Sequence, residues 1–266
     1  MSGAERIAAA FAAARDQGLS AALMPYLMGG FPSSVESLAV GRACARAGAN
    51  LLELGVPFSD PLADGPVIHA AATSALRAGI RTGDVLEVGA ALAKEIPVVV
   101  MCYANPVLAR GLEDFLDELV AAGISGLIVP DLPWEEAAPV ISTCDRRGLA
   151  LVPLVAPTTP DARLELIGPS ARGFVYAVSV TGTTGERAGV DGSLAALLAR
   201  VRRHAPVPVA VGFGVSTPAQ ARAVADAGAA GVIIGSRLVR AAGEAEEPAE
   251  AVGRLVAEFH EALRTT

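Results

Sequence analysis

The feature that most constrains this chain is a repeated unit, in which an Ala-rich stretch of helical period is followed by a glycine and then by a short apolar run. Ala47-Gly48-Ala49, Ala122-Gly123-Ile124, Arg147-Gly148-Leu149 and Ala227-Gly228-Ala229 each put Gly where a helix needs a left-handed C′ residue, just before a strand. Eight strands are predicted, at 22–28, 51–55, 98–103, 126–129, 150–155, 174–178, 209–211 and 231–234. Helices are predicted between and after them at 34–47, 67–78 with 84–94, 112–122, 134–147, 160–167, 193–204, 218–227, 236–241 and 248–264.

Strands apolar on both faces suit a parallel sheet covered by helices, because right-handed crossovers put every helix on the outside. Eight such units in 266 residues, close to the ~250 typical of the fold, predict a closed (β/α)8 barrel. An extra amphipathic segment at 5–14, with Ile7 and Phe11 four apart, is expected to cover the barrel bottom. No linker or charge run divides residues 1–266, so a single domain is expected. The alternative, an open doubly wound sheet, would carry a Gly-rich dinucleotide turn after its first strand. Met28-Gly29-Gly30-Phe31-Pro32 stands there instead, and Gly212-Phe213-Gly214-Val215-Ser216-Thr217 begins like that turn but ends in Thr.

Composition narrows the function classes. With 52% hydrophobic and 18% charged residues the chain can bury a large aliphatic core. Its apolar runs stay well short of the ~18 residues of a membrane span. The amino terminus has no positive n-region or cleavage site, so a soluble, cytoplasmic protein is expected. Cys44, Cys102 and Cys144 are odd in number and far apart, which predicts reduced packing residues rather than disulfides or a metal knuckle. A net charge of −7 and no basic cluster beyond Arg202-Arg203 leave no footprint for nucleic acid. Small molecules or proteins are the expected partners.

In a barrel the chemistry belongs at the carboxyl ends of the strands. His69, His204 and His260 fall on helices without metal-ligand spacing, and Lys94, the only lysine, lies before the third strand at the opposite end. Schiff-base and phosphate-loop lysine chemistry are thereby excluded, and carboxylates, tyrosine and backbone dipoles remain. Glu53 interrupts an apolar strand near its carboxyl end. It is either a desolvated acid–base with a raised pKa or a carboxylate paired to a nearby Arg. Asp60 and Asp64 stand in Asp-Pro and Asp-Gly, ordinary turn formers, and spacing alone favours that reading. The Gly- and Thr-rich stretch from Tyr176 to Gly192 is expected to act as a lid. Gly212-Phe213-Gly214 and Gly235-Ser236, after the seventh and eighth predicted strands, are the expected phosphate site.

The stretch Leu52-Glu53-Leu54-Gly55-Val56-Pro57-Phe58-Ser59-Asp60-Pro61-Leu62-Ala63-Asp64-Gly65-Pro66 resembles the signature of the tryptophan synthase alpha subunit family almost residue for residue. Similar segments continue in family order through Met101-Cys102-Tyr103-Ala104-Asn105-Pro106, Pro130-Asp131-Leu132-Pro133, Thr184-Gly185, Gly212-Phe213-Gly214 and Gly235-Ser236. The resemblance implies aldol-type cleavage of indole-3-glycerol phosphate to indole and glyceraldehyde 3-phosphate, in a (β/α)8 barrel without metal or cofactor. It implies Glu53 as general acid–base and Asp64 as the group that holds the indole N–H, with Tyr176 lining the site and Thr184 ordering the lid against Asp64. Tyr26, Tyr103, Leu154 and Ile233 correspond to the indole pocket, and Gly185, Phe213, Gly214, Gly235 and Ser236 to the phosphate groups. It also implies a β partner carrying pyridoxal phosphate in an α2β2 complex, contacted around Asp60, Pro61, Asn105 and Asp131. Gly30-Phe31-Pro32 and Thr183 depart from the commonest family pattern, at positions bearing on partner contact and the lid.

Overall fold

The helices end where the glycines predict. Gly48, Gly123, Gly148 and Gly228 all have positive φ, from 69° to 101°, and each turns the chain out of a helix and into the strand that follows. The computed structural model describes residues 1–178, 192–212 and 214–265. Its strands are β1 (Ala22–Met28), β2 (Leu52–Gly55), β3 (Val98–Met101), β4 (Gly126–Ile128), β5 (Ala150–Leu151), β6 (Leu154–Val155), β7 (Val175–Val178), β8 (Val209–Gly212) and β9 (Gly231–Ile234). All pair in parallel, in the order β5-β4-β3-β2-β1-β9-β8-β7-β6.

The single strand predicted at 150–155 is two segments, and the reason is Pro153, which has no N–H to give a ladder. The break also joins the two ends of the sheet. Val152 N–H donates to Leu127 O on the β4 side at 2.9 Å, and Tyr176 N–H donates to Pro153 O on the β7 side at 2.9 Å. The stretch therefore serves both neighbours, and the parallel strands curl into the predicted (β/α)8 barrel.

The first helix, Gly3–Asp16, is fixed by a capping box in which Ser2 and Glu5 satisfy each other's backbone N–H groups. Its Ile7 and Phe11 are buried at the barrel bottom as predicted, with the Phe11 ring 6.0 Å from Phe174. Arg6 anchors the same helix by donating to Gly123 O and Ala93 O, the carbonyl ends of two helices. Cys44, Cys102 and Cys144 are free and buried, as expected of packing residues. No helix of the described residues is long and apolar enough to cross a membrane.

One helix, Ala104–Arg110, is absent from the sequence prediction. Asn105-Pro106 reads as a turn, but Pro is tolerated in a first helical turn, where its missing N–H has no intrahelical partner to lose. The cap comes from elsewhere in the chain, where Asp131 Oδ1 accepts from Ala104 N–H at 2.8 Å. Local sequence carries no trace of that bond.

Candidate active site

Strand register assembles the site. Tyr26 is the register partner of Glu53, and Leu154 of Tyr176, so side chains of neighbouring strands enter the barrel side by side. Together with Asp64, Ile233, Gly214, Gly235 and Ser236 they line one cavity of about 320 Å³ at the carboxyl ends of the strands. Met101, Ile128 and Ile68 on its apolar wall carry no sequence signal, since nothing separates an apolar cavity residue from an apolar core residue in sequence. Ser216 and Arg237 at the other end are likewise not among the predicted site residues.

Two tyrosines depend on missing side chains. A Cβ at Gly55 would overlap the Tyr26 hydroxyl, and one at Gly212 would overlap that of Tyr176. Glycine at these strand ends is thus a steric requirement for the tyrosines. At Gly235 the situation is the reverse, because a Cβ there would make only ordinary contact with Tyr26, at 3.6 Å or more. Among the described residues no neighbour demands that glycine, and a ligand brought close to the backbone would supply a reason for it.

Glu53 settles in favour of the desolvated reading. It is 1% exposed, and neither carboxyl oxygen has a hydrogen-bond partner among the described residues. No described Arg pairs with it. Burial, with the negative charge of Asp64 second, pushes its pKa up to about 8. Burial raises Asp64 too, while the Tyr103 hydroxyl and the charge of His69 pull it back down. The charge of Asp64 thus adds to burial in disfavouring ionisation of Glu53. Burial and the two carboxyls also hold Tyr26 and Tyr176 far above the usual phenol range, so both remain protonated donors.

Tyr103 stands one layer back from the cavity. Its hydroxyl accepts from Ala63 N–H at 3.1 Å and its ring stacks on Phe58 at 5.2 Å, so it positions the Ala63-Asp64 segment. At the opposite end, the helix Ser236–Glu244 begins at Gly235 without a side-chain cap, and its first N–H groups have no intrahelical acceptor. Thr183, Thr184, Gly185, Phe213 and most of the expected lid lie outside the described residues. Asp60, Asn105 and Asp131 are exposed on the rim, beside Leu62, 91% exposed, and Leu108, 66% exposed. His260 Nδ1 meets Gly48 O at 3.1 Å between helices, and Lys94 is exposed just ahead of β3. Among the described residues no three His, Cys, Asp or Glu side chains are grouped to hold a metal.

The raised carboxyl predicts how stability responds to pH. A Glu53 with a folded pKa near 8 and an unfolded one near 4.5 leaves the folded chain holding more protons between those values, so stability falls as pH rises through that window. At about 1.4 kcal/mol per unit the full cost, reached above pH 8, is a few kcal/mol. Glu53→Gln should therefore gain stability relative to wild type as pH is raised from 6 to 9 in paired urea unfolding curves. A difference constant over that interval would rule out a buried titrating Glu53.

Comparisons with known proteins fall on one family. A family model described as Tryptophan synthase alpha chain matches residues 11–265. The tryptophan synthase alpha chain of Synechococcus elongatus is 48% identical over 259 residues, covering 95% of this chain and 95% of the relative. That of Synechocystis sp. is 47% identical over 236 residues, covering 88% and 89%. Among solved structures, Mycobacterium tuberculosis tryptophan synthase has a TM-score of 0.90 at 38% identity over 98% of this chain and 99% of the other. The alpha subunit from Legionella pneumophila has a TM-score of 0.89 at 34% identity, over 99% and 98%.

Proposed function

Because the chain belongs to the tryptophan synthase alpha chain family and is a lyase of the alpha reaction, we propose that Glu53 and Asp64 run its cleavage of indole-3-glycerol phosphate to indole and glyceraldehyde 3-phosphate. The observation that carries the proposal is the buried Glu53 carboxyl, facing the cavity with both oxygens unpartnered and its pKa near 8. At neutral pH it starts as the neutral acid. It gives its proton to indole carbon 3, which turns the ring into the cationic tautomer whose bond to the glycerol chain can break. The Glu53 carboxylate then takes the proton of the adjacent glycerol hydroxyl as the carbon–carbon bond breaks toward the ring, releasing the aldehyde. One proton leaves Glu53 and one returns, so the acid is reset.

Asp64 holds the indole N–H, and its ionised carboxyl stabilises the positive charge that appears there. Tyr26, Leu154, Tyr176 and Ile233 enclose the indole, with Tyr103 behind Asp64. Gly185, Phe213, Gly214, Gly235 and Ser236 hold the phosphate, chiefly through backbone N–H groups, and Thr184 orders a lid against Asp64. No metal or cofactor enters these steps. The rim around Asp60, Pro61, Asn105 and Asp131, with exposed Leu62 and Leu108, is the face for a β subunit that carries pyridoxal phosphate in a cytoplasmic α2β2 complex.

Purified chain, with and without β subunit and in chelator, should release indole from indole-3-glycerol phosphate, faster with β present. No indole under either condition would overturn the proposal.

A further inference from the structure

One charged residue of the cavity wall has no part in these steps. Arg237 is the one cationic residue that lines the cavity among the described residues, and it is exposed at the cavity's mouth. It is the second residue of the helix Ser236–Glu244, directly after Gly235-Ser236, and shares the cavity wall with Gly214, Val215 and Ser216. Ten of the chain's twenty arginines are tied to acids among the described residues, as in Arg110–Glu118, Arg147–Asp117 and Arg200–Asp161. Arg237 forms no salt bridge with any described residue. The residue also borders a shallow surface pocket that includes Glu244 and Glu258, and it forms an ion pair with neither. Ser216, by contrast, is committed, since its hydroxyl and backbone N–H both donate to Gln220 Oε1.

The charge has a physical use. A chain with a net charge of −7 repels a phosphorylated substrate on approach, and backbone N–H groups bring only partial charges to meet the anion. A guanidinium at the same helix start reverses the local field and adds charge-assisted bonds. We infer that Arg237 is a specificity residue of the phosphate end, supplying the side-chain cation by which the cavity prefers a phosphorylated glycerol chain to an unphosphorylated one. The inference rests on the function proposed above, which places phosphate at Gly214, Gly235 and Ser236.

The test uses full-length wild type, R237A and R237K. For indole-3-glycerol phosphate, R237A should raise KM about tenfold with kcat little changed, the size expected of a partly exposed charged bond. KM for the dephosphorylated indoleglycerol should stay at the wild-type value. R237K should recover most of the affinity, and raising ionic strength should narrow the gap between wild type and R237A. Calorimetric titration with inorganic phosphate reads the same site without turnover, and R237A should weaken it in parallel. Inorganic phosphate bound equally by wild type and R237A would overturn the inference while leaving the lyase reading intact. Weakened phosphate binding in R237A, with no indole released by wild type, would sustain the role of Arg237 as a phosphate cation and overturn the lyase reading instead.

Discussion

Replacing Glu53 by Gln is expected to cut indole release by roughly 10²–10⁴-fold, the usual worth of a general acid–base, while substrate still binds. The amide matches the carboxyl in shape but cannot pass a proton to carbon 3 or accept one from the hydroxyl. Binding survives because the aromatic enclosure and the phosphate end do not involve residue 53. Wild-type kcat should fall as pH rises past about 8, where burial and Asp64 set the Glu53 pKa and the acid form is lost. Equilibrium binding of the substrate, followed beside a single-turnover indole assay, separates the two effects. A variant that keeps most of its activity would remove Glu53 from the chemistry, and one that no longer binds substrate would make it a structural residue. The stability comparison links to the same group. A residue that costs the fold a few kcal/mol above pH 8 and makes no hydrogen bond with any described residue in return is what the proposed acid–base role calls for.

How much of this was legible in the sequence depended on whether the cause was local. The C′ glycines have local causes, and Gly48, Gly123, Gly148 and Gly228 all take the left-handed conformation their positions imply. Strands β1 and β9 match their predicted limits, because each is a continuous apolar run with clear punctuation. Pro153 carried a readable signal, since a proline inside a central strand marks a break, and the predicted strand at 150–155 runs through it. The helix Ala104–Arg110 had no such signal, because Asp131, 27 residues away, supplies its cap.

The site divides in the same way. Glu53 is visible as a lone charge in an apolar strand, but whether it is paired or bare depends on which strands flank it. Asp64 looks like a turn former, and its place beside Tyr103 and Glu53 is set by a loop folding back over the barrel mouth. Arg237 follows Gly235-Ser236 directly and reads as one more helical arginine. Only the fold brings the start of that helix to the cavity wall.

Asp64→Asn is expected to lower the rate roughly 10²–10³-fold, the scale of losing one preorganised electrostatic partner of a transition state. The asparagine still offers an oxygen to the indole N–H, so ground-state binding should change little and the loss should fall on kcat. What disappears is the negative charge opposite the cationic ring. The same substitution carries a second readout that a turn-forming aspartate would not produce. Asp64 helps hold the Glu53 pKa up, so its neutralisation should let that pKa fall and move the alkaline limb of the pH–rate profile to lower pH. The shift has this sign because the charge of Asp64 disfavours a second negative charge on Glu53, and removing it makes ionisation easier. Burial, the larger cause, is untouched, so the limb should stay above the ordinary carboxyl range. A slow variant with an unmoved limb would mean that Asp64 acts on the substrate alone. A variant of near-normal rate would return Asp64 to the turn and leave Glu53 to do the chemistry by itself.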